Sequence, residues 1–157
     1  MNSSVEVDSL EILVIVDNVV DPLSSNPPWV EPELRGLLNR GRIRMLSGSS
    51  ICCGHHGLSL LLKAQIGDVT QTLLFDTGAE RQNFERNSKI LDVDFSAITD
   101  IVLSHGHWDH AGGMEAAVEQ IVEGQCRSNE SGSSRLPGRC RLRRNPLARD
   151  RVDGPEG

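Results

Sequence analysis

Long apolar runs are missing from this chain. No stretch approaches the roughly 18 consecutive apolar residues that a bilayer-spanning helix needs, and the first residues do not form a basic, apolar, small-residue leader. Neither a membrane span nor a secretory address is expected, and cytoplasm is the default compartment. The four cysteines include no Cys-x-x-Cys pair, which excludes the usual thiolate zinc site. Cys52 and Cys53 are adjacent and cannot easily bridge each other, Cys126 and Cys140 lie far downstream, and the first two read as structural thiols. Histidine is also scarce, with five in 157 residues and none after Cys126. That scarcity gives weight to where the histidines stand.

Three of the five fall in Ser104-His105-Gly106-His107-Trp108-Asp109-His110-Ala111-Gly112-Gly113. The residues before them, Asp100-Ile101-Val102-Leu103, are β-branched and apolar, and read as a buried strand that delivers the histidines at its end. His105 and His107 share a parity, so an extended backbone points both to one side. Two imidazoles on one side make half of a tetrahedral zinc site, and Asp109 and His110, on a turning backbone, can face a second metal. Gly112 and Gly113 leave room for close backbone approach before a helix whose Met114, Val118, Ile121 and Val122 recur at helical spacing.

Upstream, Leu10 to Val16 reads as a first strand, apolar enough to be buried on both faces. From Val20 to Met45 the prolines at 22, 27, 28 and 32 forbid regular structure except for a short helix over Glu33 to Asn39, with Trp29 expected to pin the loop to the core. Gly54-His55-His56-Gly57 leads into a strand over Leu58 to Ile66. Gly67-Asp68 is a hairpin signal, and Val69 to Phe75 returns antiparallel. Glu80 to Ile90 carries a charged helical pattern. Asp92 and Asp94 belong to a solvated turn, and Phe95 and Ile98 are expected to pack beneath the histidine-bearing strand.

The order His-x-His-x-Asp-His resembles the metal-binding signature of the metallo-β-lactamase superfamily. Leu73-Leu74-Phe75-Asp76-Thr77-Gly78 is similar to the strand and turn that precede it there, where the Asp supports the site from behind the ligands. With His56-Gly57-Leu58-Ser59-Leu60-Leu61-Leu62, these motifs look like a branch that contains dihydropterin-type (ribofuranosylaminobenzene phosphate) synthases. The resemblance spans about Leu10 to about Cys126 and implies an α/β (α+β) fold, the first half of an αββα sandwich, with a considerably longer chain in complete members.

It also implies a ligand set. His105 and His107 with a third histidine would hold one metal ion, and Asp109 and His110 with a further histidine a second, zinc being expected. His56 would approach the centre or its substrate. The metals would lower the pKa of a shared water, Asp109 would orient the resulting hydroxide, and the hydroxide would attack an ester, amide, thioester or phosphoester of a small molecule. A rival resemblance exists, because Leu-Phe-Asp-Thr-Gly-Ala is also similar to the active-site turn of aspartic proteases, which would make Asp76 one of two paired carboxylates in a dimer.

After Gly124 the composition breaks. Residues 127–157 hold eight of the sixteen basic residues, all arginine, against four acids, for a net charge of +4; residues 1–126 carry −10. The acidic part argues against a nuclease, which must dock a polyanion. The segment 127–157 reads as a disordered Arg/Gly/Ser/Pro-rich tail, and its character suggests a premature ending by altered splicing, a frameshift or intron read-through. Three expectations follow: a hydrolase-like metal protein with an incomplete ligand set and weak or no turnover, a non-catalytic metal-binding remnant, or a pterin-type synthase. A half sandwich also leaves a sheet face open, with Leu58, Leu60, Leu62, Leu73 and Phe75 as candidates for an apolar patch through which the chain self-associates.

Overall fold

The computed structural model describes residues 6–21 and 24–131, and the side chains up to residue 128. Its spine is a four-stranded sheet in the order β1 (Ser9–Val16), β2 (Ser59–Ile66), β3 (Val69–Phe75) and β4 (Ile98–Val102). The first three strands are antiparallel neighbours, and β4 lies parallel to β3. Gly67 takes a left-handed φ of 54° in the β2–β3 hairpin, which a two-residue connection of this kind demands. The remaining elements are α1 (Glu33–Asn39), α2 (Arg81–Leu91), a 3-10 turn at Phe95–Ala97, α3 (Trp108–Ala111) and α4 (Met114–Ser131). This is the mixed α/β, α+β-type architecture expected of the sequence.

Pairing partners share a sheet face, so the register separates the two sides. Leu13, Leu61, Leu74 and Ile101 lie across one another on the covered side, with buried Ile15 at a bulge in β1. Phe84 and Leu91 of α2 and Ala116 and Ala117 of α4 pack there, Phe84, Ala116 and Ala117 being fully buried. Two adjacent alanines let α4 come close. Phe95 stacks edge-on against Phe84 at 6.0 Å and Ile98 is buried, as expected. Arg81 ties α2 to α4 through Glu119 at 2.8 Å.

The other face carries Leu10, Ile12 and Val14 of β1, Leu60 and Leu62 of β2, Leu73 and Phe75 of β3, and Val102 of β4. Among the described residues no helix covers it. The strand β1 is therefore not buried on both faces: Ile12 is 57% exposed and Leu10 53%. Its apolar residues on both parities suggested two covering layers, and helices cover only one. Leu58, Leu60, Leu62, Leu73 and Phe75 are half-buried, so the most exposed part of the apolar face is β1.

Two local expectations change and one holds. Trp29 is 84% exposed and does not pin its loop; Leu37 of α1, fully buried, is the apolar anchor of that region. Asp92 and Asp94 lie exposed in the connection after α2, the solvated turn expected: Asp92 is the left-handed C-cap of α2 (φ 60°) paired with Arg42 at 2.9 Å, and Asp94 caps the 3-10 turn by accepting from Ser96 N–H at 3.0 Å. The helix α4 continues past Cys126 to Ser131, with Glu123 and Arg127 paired at i, i+4. Residues 132–157, the rest of the segment read as a disordered tail, lie outside the described residues. No helix is long and apolar enough to cross a membrane among those described.

Candidate metal centre

The parallel register of β3 and β4 builds the site. Phe75 pairs with Val102, so the chain leaving β3 and the chain leaving β4 emerge side by side. Asp76 N–H donates to the Val102 carbonyl at 2.9 Å, which places the Asp76 carboxylate beside Ser104. Asp76 has a left-handed φ of 56°, uncommon for a residue with a Cβ. Strain of this kind persists only where surroundings over-determine it, and here they do. Ser104 N–H donates to Oδ1 at 2.7 Å, the Ser104 hydroxyl to Oδ2 at 2.7 Å, and His110 Nδ1 to Oδ2 at 2.7 Å. Ser59 Oγ donates to the Asp76 carbonyl at 3.0 Å.

Asp76 is fully buried. Burial pushes a carboxyl up, but the hydrogen bonds from Ser104 N–H, His110 and the Ser104 hydroxyl outweigh it, and its pKa lies below the ordinary carboxylate value. Fully buried and with both oxygens bonded to Ser104 and His110, the carboxylate presents no free oxygen to a second carboxylate across a dimer, so this geometry does not support the protease reading of the Asp-Thr-Gly turn.

The turn after Asp76 clamps the histidine segment. Thr77 donates to the His110 carbonyl twice, from N–H at 2.8 Å and from Oγ1 at 3.1 Å. Close approach is also built in where glycines were noted: a Cβ on Gly112 would stand 1.9 Å from the Ala79 carbonyl oxygen, and one on Gly113 2.2 Å from that of Thr77. The same holds on the far side, where a Cβ on Gly57 would lie 1.8 Å from the Asp109 carbonyl oxygen.

Held this way, one ligand atom each from His105, His107 and Asp109 lie within 4.8 Å of one another. His105 Nε2 and His107 Nδ1 are 3.1 Å apart, close to the about 3.4 Å that two zinc–nitrogen bonds of about 2.1 Å subtend at a tetrahedral angle. Both imidazoles are exposed and Asp109 is half-buried, so the donors face solvent. The donor set, two imidazole nitrogens and a carboxylate, suits a borderline divalent ion. His110 stands just outside this trio: its Nδ1 is committed to Asp76, and its Nε2 is 3.5 Å from Asp109 Oδ2.

A sequence profile of the metallo-beta-lactamase superfamily matches residues 55–136, slightly more than half of the chain. The chain belongs to the metallo-beta-lactamase superfamily. Members usually bind divalent metal, and the trio sits on the His-x-His-x-Asp-His run expected to do so. The chain is also 35% identical over 66 residues to a 7,8-dihydropterin-6-methyl-4-(beta-D-ribofuranosyl)-aminobenzene-5'-phosphate synthase of Methanocaldococcus jannaschii. That match takes in 42% of this chain and 22% of the synthase, so the chain spans well under two thirds of the length of this relative.

His56 is exposed and outside the donor trio; its ring lies edge-on to Trp108 at 6.3 Å. His55 pairs with Glu80 at 3.4 Å. Cys52 and Cys53 are unbridged. Cys52 N–H donates to Glu33 at 2.6 Å and Cys53 N–H to Asn87 at 3.0 Å, both far from the histidines in role. Sequence reasoning passed over Ser104 and Thr77. A hydroxyl before the first histidine and one after the Asp were visible, but their meeting depends on the parallel pairing of β3 with β4.

Proposed function

We propose that this chain binds a divalent metal ion, zinc in the first instance, through His105 Nε2, His107 Nδ1 and Asp109, and acts as a hydrolase-like protein on a small-molecule ester, amide, thioester or phosphoester. The observation that carries the reading is the convergence of those three donors at the exposed end of β4 in a metallo-beta-lactamase chain. Held by these three donors, a zinc ion would keep a position for water, and the chemistry it would supply there is a lowered water pKa, towards about 7, and polarisation of the electrophile.

The chain's own residues do the rest. Asp76 holds His110 by Nδ1–H, which leaves Nε2 facing Asp109. Asp109, half-buried and with its backbone lying close to Gly57, would offer the carboxylate oxygen not given to the metal to accept a hydrogen bond from the attacking water and orient it. The acidic residues 1–126 disfavour a polyanionic substrate.

Competition with a chromophoric chelator tests this. The chain is expected to take up zinc, and His107→Ala to weaken it by more than the about 10- to 100-fold typical of changes behind the ligands. Uptake no greater than that of a non-binding control, or the same affinity in His107→Ala, refutes the reading. The identity to the Methanocaldococcus synthase favours a second one, in which the same centre joins two substrates in a pterin-type synthase reaction. Mass spectrometric detection of the joined product from a dihydropterin with a leaving group on its 6-methylene and a ribofuranosylaminobenzene phosphate, the leaving group and a proton being released, with no chelator-sensitive hydrolysis of activated esters, separates the two.

A further inference from the structure

The Ser104 hydroxyl owns one hydrogen and touches three groups. Its Oγ is 2.7 Å from Asp76 Oδ2, 2.9 Å from His105 Nδ1 and 3.4 Å from His110 Nδ1. An ionised carboxylate only accepts, so the hydrogen goes to Asp76; placed elsewhere, two oxygens would face each other at 2.7 Å without one. Oγ is left with lone pairs towards His105, and His105 Nδ1 must supply the N–H. The His110 contact is the longest of the three, since that N–H is directed at Asp76.

We propose that Ser104 is a positioning residue: it relays Asp76 to His105, fixes the Nδ1–H tautomer of that imidazole and turns the Nε2 lone pair towards His107 Nδ1. One buried carboxylate then orients two imidazoles, His110 directly and His105 through a hydroxyl. The Ser104 N–H bond to Asp76 Oδ1 keeps the relay rigid, because backbone and side chain of one residue grip the two oxygens of one carboxylate. The proposal rests on the metal-binding reading above, but its first test needs no metal.

Long-range nitrogen–proton NMR correlations of the metal-free protein, labelled in histidine and held near pH 8, above the ordinary imidazole range of about 6.5, report each tautomer. His105 is expected as Nδ1–H in the wild type. Ser104→Ala should release it to a mixture while His110 stays Nδ1–H, and should weaken zinc about 10- to 100-fold. Ser104→Thr, which keeps the hydroxyl, should restore both. An Nε2–H His105 in the wild type overturns the proposal whether or not Ser104→Ala folds, as does a Ser104→Ala protein with unchanged tautomer and an affinity within about twofold. If the tautomer is as stated and zinc does not bind, the relay stands and the metal reading fails.

Discussion

Replacing Asp76 by Asn keeps shape and volume and removes one charge, so the change reads out what the carboxylate does. Three donors converge on it: Ser104 N–H, the Ser104 hydroxyl and His110 Nδ1. An amide has one oxygen, which can keep Ser104 N–H; its NH2 group then faces the other two. Hydrogen bonds can still form, but only if the Ser104 hydroxyl reverses to accept and His110 gives up its Nδ1 proton. Each of the three bonds falls from charge-assisted, about 1.5–3 kcal/mol, to neutral, about 0.5–1.5 kcal/mol, so Asp76→Asn should cost about 3 kcal/mol. Against a typical stability of about 5–15 kcal/mol that is a large fraction, readable as a shift in urea midpoint without a change in slope. The reversed hydroxyl turns its hydrogen towards His105 Nδ1, which favours the Nε2–H form and aims an N–H where a metal ligand needs a lone pair. Zinc affinity should therefore fall by at least the about 10- to 100-fold expected for a change behind the ligands. A midpoint equivalent to less than about 0.5 kcal/mol with unchanged zinc affinity refutes the reasoning.

Other outcomes follow from the same contacts. Because the folded pKa of Asp76 lies below its ordinary 3.8, its contribution is present in full above that value and is lost as pH falls through the folded value; urea midpoints across the acid range should decline in the wild type and decline less in Asp76→Asn. Gly57→Ala puts a Cβ 1.8 Å from the Asp109 carbonyl oxygen at a φ of +105°, so it should lose more than the about 1–3 kcal/mol of strained backbone alone and weaken zinc by displacing Asp109; a wild-type melting temperature would contradict this. Burial first, then the hydrogen bond and charge of Glu33, push the Cys52 thiol far above the ordinary range, so peptide mapping after brief alkylation near neutral pH should find exposed Cys53 modified and Cys52 spared. The open sheet face should drive concentration-dependent association, and Ile12→Glu should reduce it in sedimentation velocity; a wild type that stays monomeric at all concentrations counts against that.

Elements dictated by local pattern were legible. The β2–β3 hairpin follows from Gly67-Asp68 between two runs of β-formers, and α1 falls on Glu33–Asn39 because four prolines leave helix room nowhere else in that stretch. What depends on distant partners was not. The apolar run of β1 has the same composition whether one or two layers cover it, and only the placement of α2 and α4 decides that one does. The composition break at Arg127 hid the continuation of α4, which needs only an i, i+4 partner in Glu123 and not an apolar face. In the site, the pairing of His105 with His107 could be read from their shared parity, whereas Asp109, expected with His110 at a second metal, lies within 4.8 Å of those two imidazoles. The meeting of Asp76 with Ser104 joins positions 28 apart, and only the parallel pairing of β3 with β4 makes them neighbours.

That separation has a physical consequence for how the centre responds to change. The donor atoms are exposed, on a loop and a one-turn helix that gain little from packing, so their own burial cannot fix them to the tolerance a metal site requires. The fixing comes instead from beneath, from a buried carboxylate just past the end of β3, beside the end of β4, and from the Thr77 clamp on the His110 carbonyl. Substitutions on the open face of the sheet should therefore alter association or stability while leaving the donor trio intact. Substitutions at Asp76 or Thr77 should move stability and metal affinity together, because in this fold the residue that ends β3 is also the one that aims the imidazoles following β4.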